Sequence, residues 1–482
     1  MEILKSNKNN EKVALKGYMY TKHKECKQFI RWKCVKSSSF KCPAILKSAL
    51  NKKTILSTHH DHNHASDQNA IEAVKSKIKI KEIAKVSGST PSQIFNEIIN
   101  SIPKQVLKKM PTEESIKRTI RMQRSGNNPV EPTDINDLII EGEWSLWNNQ
   151  RFLLHDNRSE NTNERIIIFG TDYMLDLLSQ SKEWYMDGTF GLAPKNFLQL
   201  YIIRIKHNCE YVTAIYSLLQ RKTQSTYEQM FRIILDECNK RKYYPDPIKV
   251  HLDFEISVIN ALNNIIGSHL TILGCFYHLC QSTHRRIQKL GLENRYRTDE
   301  DFSHFCAMLD GLAFLPLSHV KEGMDYIKTI VPPGAEDLIS YFDSVYVSGP
   351  LRRIGTDNDL SIRFRRLPPQ FPPLMWNVHQ STLLDGSRTN NVCEGWNNRF
   401  NHLVGHKNPS IWKLLKNMKN EMGADKAKLT LSEIGQLTYK RPHKGHIMQT
   451  RLKNLCEQFS RGELSVQVFL SNIGHNIRMK CD

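Results

Sequence analysis

The chain has 482 residues and a mass of 56.0 kDa, too long for one ordinary core, so two to four domains are expected. No uninterrupted apolar run reaches the roughly 18 residues of a membrane span, and the opening MEILKSNKNNEK lacks the apolar stretch of a secretory signal, so a soluble intracellular protein without membrane contact is expected. The formal charge of +19 is uneven: residues 1–130 hold 26 Lys and Arg against 10 Asp and Glu, residues 401–482 hold 14 against 6, and the middle is acidic at −5, which directs a polyanion to the ends.

Residues 1–68 are basic, rich in Cys and His, and too short to build a large core. Cys34 is followed after seven residues by Cys42, then after nineteen by His62 and after one more by His64. Two thiolates and two imidazoles complete the tetrahedral shell that structural zinc prefers, and so small a fold needs such a clamp. His60 is a rival ligand, since it also forms a His-x-His pair with His62. Between the pairs, AILKSALNKKTILS has strand character. The motifs GYMY, RWKC, KCPA and HNH at 17–20, 31–34, 41–44 and 62–64 resemble the FLYWCH-type zinc finger. That resemblance implies zinc on Cys34, Cys42, His62 and His64, Trp32 as core aromatic, and contact with DNA or protein.

Residues 69–139 read as a helical linker. NAIEAVKSKIKIKEIAKV, then TPSQIFNEIINSI with Thr90 as N-cap and Pro91 at the first helical position, then TEESIKRTIRMQRSG ending at Gly126 are three helices. The first two have the outline of a DNA-binding helix-turn-helix; a plain spacer is the alternative.

From 150 to 285 strands and helices alternate. RIIIFG and EWYMDGTF are strand-like; FLQLYIIRIKH and EYVTAIYSLLQ read as antiparallel strands joined at NCE. STYEQMFRIILDECNKR is a helix capped by Ser225 or Thr226, IKVHLDF a short buried strand, EISVINALNNII a helix and LTILGCFYHL another strand. Three meandering strands followed by helix, strand, helix and strand give a mixed α/β sheet with helices packed on it. From 295 to 385 the pattern turns helical and proline-rich.

Asp187 ends the apolar run Trp184–Met186, where a solvated Asp-Gly turn is the bland explanation. The alternative is a strand delivering a carboxylate to a site. Asp253 closes the strand IKVHLD, and if the two strands are neighbours both acids project at one edge. Glu255 is a further candidate, expected as a helix cap. Glu394 follows Thr389 or Asn390 as cap of a helix with Trp396, Phe400 and Leu403 as its apolar stripe. Three such acids can hold two magnesium or manganese ions about 4 Å apart, as phosphoryl transfer between DNA strands requires. Cys275 and His278 form a Cys-x-x-His; a zinc quartet with Cys280 and His284 is disfavoured because all four lie within ten residues.

WYMDGTF, HLDFEISVINAL, GCFYHLCQSTHRRIQKLGL and RTNNVCEGWNNRF resemble, in order and spacing, the transposase domain of Mutator-like elements over residues 140–425. The resemblance implies an RNase H-like core with a helical insertion at about 295–385, and Asp187, Asp253 and Glu394 as metal ligands. It gives Cys275 and His278 the family's Cys-x-x-His positions, without a role. It also implies cleavage at element terminal repeats followed by joining to target DNA. A nuclear location follows from the need to meet chromosomes, and a homo-oligomer is a candidate assembly. A basic C-terminal tail at 426–482 would support DNA. The competing function is a domesticated, catalytically silent zinc-finger regulator, and a nuclease without strand transfer is a third. No Gly-rich phosphate loop is present, which disfavours an ATPase.

Overall fold

The computed structural model describes residues 1–5, 11–87, 89–125, 128–159, 164–208, 210–354, 363–435 and 443–477. Residues Met1–Val130 form one compact unit and Glu131–Asp482 a second.

The first unit opens with six strands: β1 (Glu2–Lys5), β2 (Glu11–Leu15), β3 (Tyr18–Glu25), β4 (Ile30–Cys34), β5 (Ile45–Ser48) and β6 (Ile55–His59). They pair antiparallel in chain order. Alternation along β4 puts Ile30, Trp32 and Cys34 inside, and the buried Trp32 indole donates to Ser48 Oγ at 2.9 Å. Four helices follow: α1 (Gln68–Val86), α2 (Pro91–Ile99), α3 (Lys104–Leu107) and α4 (Glu113–Ser125). Thr90 caps α2 in a reciprocal box with Gln93, as its sequence predicts. Ile80, Ile94, Ile98, Ile116 and Ile120 build a separate core among α1, α2 and α4. These helices thus pack into a bundle of their own; Gly126 lies outside the described residues.

The second unit begins before the expected boundary at 140. Leu138 and Ile140 are buried in its core, and Arg165 donates to the carbonyls of Ile135 and Leu138, so 131–139 belongs here and not to the linker. A small ladder of β7 (Leu146–Trp147) and β8 (Gln150–Arg151) leads into β9 (Leu153–Asp156), β10 (Ile166–Phe169), α5 (Asp172–Gln180), β11 (Glu183–Thr189), β12 (Gln199–His207), β13 (Glu210–Leu219), α6 (Gln224–Asn239), β14 (Lys249–Leu252), α7 (Ile256–Ile265) and β15 (Thr271–Gly274). The seven-stranded sheet runs β15-β14-β11-β12-β13-β10-β9. β11, β12 and β13 meander antiparallel, while β14 and β15 lie parallel to β11. The α/β meander is therefore as expected; Cys209 in the NCE turn lies outside the described residues. Thr223, and not Ser225 or Thr226, caps α6 by accepting from Thr226 N–H.

Beyond the sheet come α8 (Phe276–Lys289), α9 (Glu293–Thr298), α10 (Glu300–Gly311), α11 (Val320–Thr329), α12 (Glu336–Phe342), a two-stranded ribbon β16 (Leu351–Ile354) and β17 (Arg363–Arg366), α13 (Pro373–Trp376), α14 (His379–Leu383), α15 (Asn391–Val404), α16 (Ile411–Glu433), α17 (His443–Ser460) and α18 (Val466–Ile477). The strand expected over LTILGCFYHL stops at Gly274, and Phe276 already starts α8. Residues 295–385 are mainly helical, as the pattern there predicts, apart from the ribbon. The expected tail is instead helical: Phe469, Leu470 and Ile473 of α18 are fully buried in the same core as Phe302, Met308 and Leu312. One large core covers one sheet face, and a second, containing α15 and α16, covers the other. No helix among the described residues is long and apolar enough to cross a membrane.

Candidate functional site

In the first unit, β4 ends on Cys34, a turn brings Cys42 under it, and the chain beyond β6 returns His62 and His64. Their four ligand atoms lie within 4.8 Å of one another. Cys34 Sγ stands 3.2 Å from His64 Nε2, Cys42 Sγ 3.3 Å from His62 Nδ1, and the two ring nitrogens 3.3 Å apart. Tetrahedral zinc with bonds of about 2.3 Å to sulfur and about 2.05 Å to nitrogen has edges of about 3.3–3.8 Å, so the donor set fits. The outer nitrogens are also satisfied: His64 Nδ1 donates to Ala65 O at 3.0 Å, and His62 Nε2 meets the Tyr20 hydroxyl at 2.8 Å. Such partners fix ring orientation. Tyr18 stacks flat on His62 at 3.6 Å between centroids. Burial, then the two cysteines, push the Tyr20 phenol up to about 12. His60 is exposed in a left-handed conformation and outside the cluster, which removes it as a ligand.

In the second unit, Trp184 and Met186 point into one core and Tyr185 into the other. Period two then turns Asp187 toward the face covered by α15. Because β11 continues through Thr189, Asp187-Gly188 is strand and not a turn. Parallel pairing of Trp184 with Val250 and Tyr185 with His251, extended two places, sets Asp187 beside Asp253. Glu394 comes from the first turn of α15.

His278, in the first turn of α8, joins these groups. Its Nδ1 lies 3.6 Å from Asp253 Oδ1 and 3.7 Å from Glu394 Oε1. Asp187 Oδ2 accepts from Asn397 Nδ2 at 2.7 Å and Oδ1 from Gly188 N–H at 2.9 Å. Burial, with repulsion from Asp253 and Glu394, nevertheless pushes the Asp187 carboxyl up to about 7. The structure thus brings all three predicted acids and His278 to one place.

Cys275 holds the arrangement together. Its Sγ accepts from Asn390 N–H at 3.1 Å and donates to Glu394 Oε1 at 3.4 Å. Burial raises its thiol to about 12, so it stays protonated and steers Glu394 as a donor. Cys275, His278 and Glu394 offer ligand atoms within 4.8 Å, whereas the buried Cys280 thiol hydrogen-bonds with Asp310 and His284 pairs with Glu293 at 3.1 Å; the four-ligand zinc cluster does not form. Glu255 makes no cap and instead accepts from the Tyr227 hydroxyl at 3.0 Å. Asn390 is the N-cap residue of α15, but its amide donates to Met186 O at 2.8 Å, latching α15 onto β11. On α15, Trp396 and Phe400 are buried as expected, with Val404 and not Leu403 completing the stripe. Asn397 was not a sequence candidate; its position one turn after Glu394, on the same helical face, is the signal for it.

Residues 3–64 match the FLYWCH zinc finger domain, so the chain carries that finger at its N-terminus. The Cys34, Cys42, His62 and His64 cluster supports a structural zinc, and the domain points to nucleic-acid binding. No curated protein matches the chain.

Proposed function

We propose that residues 140–425 carry an RNase H-like catalytic core of the Mutator-like type and that the chain is a DNA transposase. It would act in the nucleus, cleaving element ends and joining them to target DNA, with the finger supplying sequence-specific binding. What carries this is that Asp187 within β11, Asp253 just beyond β14 and Glu394 at the start of α15 come close enough for the other two carboxylates to repel that of Asp187, with His278 beside Asp253 and Glu394. Carboxylates that repel one another call for a cation. Asn397 Oδ1, a buried oxygen without a partner, adds another hard donor beside them. This oxygen-rich set fits Mg2+ or Mn2+, which Asp187, Asp253 and Glu394 would hold. Two bound ions would activate the attacking oxygen and stabilise the leaving one.

The chain's own side chains do the positioning. Asn397 fixes the rotation of Asp187, and Cys275 aims Glu394. His278 spaces Asp253 from Glu394. In cleavage a water oxygen bonds to phosphorus and the 3′ oxygen departs; in joining, the freed 3′ hydroxyl attacks a target phosphodiester and displaces its bridging oxygen.

The test uses purified protein, labelled duplexes carrying the terminal sequences that flank its gene, and Mg2+ or Mn2+. Wild type is expected to nick and join, and Asp187→Asn to bind without cutting. Binding by wild type with neither nicked nor joined product would leave the silent regulator; nicking without joining would leave the nuclease.

A further inference from the structure

The ribbon β16–β17 pairs with neither larger sheet. Its register sets Arg352 opposite Arg365, Arg353 opposite Phe364 and Leu351 opposite Arg366. All of β16 is exposed, and so are Phe364 at 62% and Leu351 at 60%. An isolated two-stranded hairpin is marginal in water, and like charges directly across a ladder destabilise it further. Among the described residues, Arg352, Arg353 and Arg365 have no ion pair or hydrogen bond to offset this.

The base of the ribbon, by contrast, is fixed. Arg366 donates to Gly349 O at 3.0 Å and reaches Asp343 at 3.7 Å. Gly349 has φ +83°, and a Cβ there would stand 1.9 Å from Leu367 O, so only glycine allows this closure. Just outside the base, Tyr346 and Phe371 pack on Phe254 at 5.8 and 5.0 Å. Phe254 directly follows Asp253. The ribbon is therefore rooted in the packing that supports one acid of the pocket.

We infer that β16–β17 is a duplex-DNA contact that enters a groove and holds the strand being presented to the acidic pocket. Because strand faces alternate, Arg352 and Arg365 lie on one face and Arg353 and Arg366 on the other. Guanidinium groups on both faces suit a groove walled by two phosphate chains; an acidic protein surface would engage one face only. A two-stranded ribbon fits the major groove of B-DNA, whereas that of RNA is too deep and narrow. Phe364 adds an apolar contact for sugar or base.

The choice of DNA rests on the function proposed above, but the contact requires no cleavage. The experiment measures binding of the full chain to a labelled duplex across a salt series, comparing wild type with Arg352→Gln/Arg353→Gln/Arg365→Gln and with the triple Lys variant. A photo-crosslinking residue at position 364 is a second readout. The Gln variant is expected to lower the slope of log K against log salt by about 2.7, about 0.9 per lost phosphate contact, while the Lys variant keeps it. Position 364 is expected to crosslink to the duplex, resisting polyglutamate competition. An unchanged slope, no crosslink, or equal competition by polyglutamate overturns the inference. A lowered slope with no nicking by wild type would remove the catalytic function and leave the ribbon contact standing; nicking with an unchanged slope would do the reverse.

Discussion

Burial and two neighbouring carboxylates hold the Asp187 carboxyl at about 7 in the metal-free protein, well above the roughly 3.9 of an unfolded aspartate. The folded chain then keeps a proton that the unfolded chain releases. Its stabilising contribution is full below about pH 4 and is lost as pH rises through about 7. Thermal unfolding of metal-free wild type is expected to fall over that window, and Asp187→Asn, which cannot ionise, to flatten the profile. Mg2+ at pH 8 should raise the melting temperature of wild type and not of Asp187→Asn; equal responses would count against metal on this residue. Asn397 orients Asp187 through Nδ2 and offers Oδ1 beside the acids, so in the proposed reaction Asn397→Ala is expected to cost at least about 10–100-fold in cleavage, the usual effect of removing a partner that orients a ligand. Circular dichroism should stay unchanged, and raised Mg2+ should recover part of the rate.

At the scale of the element, α18 lays Leu470 and Ile473 against α10, with Ile473 Cγ2 at 3.2 Å from where a Cβ on Gly311 would stand, and packs the buried Phe469 ring 4.8 Å from that of Phe459 in α17. Phe469→Ala is expected to destabilise the second unit by about 3–5 kcal/mol, the cost of emptying a buried aromatic site, read by denaturant unfolding. That role was hidden in the sequence. A net +8 over residues 401–482 reads as a solvated tail, and only the Val466, Phe469, Leu470, Ile473 spacing betrays a buried stripe. β11 was easier: the apolar run Trp184–Met186 reads as a strand leading to Asp187, and the short strand ending at Leu252 does the same for Asp253, while the face each acid takes is set by cores on both sides of the sheet that a uniformly apolar run does not distinguish. The β15–α8 junction was obscured because its apolar residues run on from strand to helix without a break. The ribbon is not legible because LRRI and RFRR set arginines side by side and break the period of two, so both stretches read as exposed loop. The cysteine and histidine spacing of the finger was legible, since ligand chemistry admits few alternatives.

At the scale of the molecule, the two compact units rely on different sources of stability. The finger has a small core around Val13, Tyr20, Ile30, Trp32 and Leu46 and depends on its metal clamp; the second unit has two extensive cores. A zinc chelator is expected to abolish one early thermal transition and leave the main one in place, with Cys34→Ser reproducing that change without chelator. A shift of the main transition would show that zinc supports the second unit as well. The meeting of α10 with α18 also has a kinetic side. About 160 residues separate the two helices, and at roughly 5–20 residues per second a ribosome needs on the order of ten seconds or more to traverse them. Throughout that interval the nascent α10 waits for its cover, a window for chaperones and for mispairing between neighbouring chains on one message.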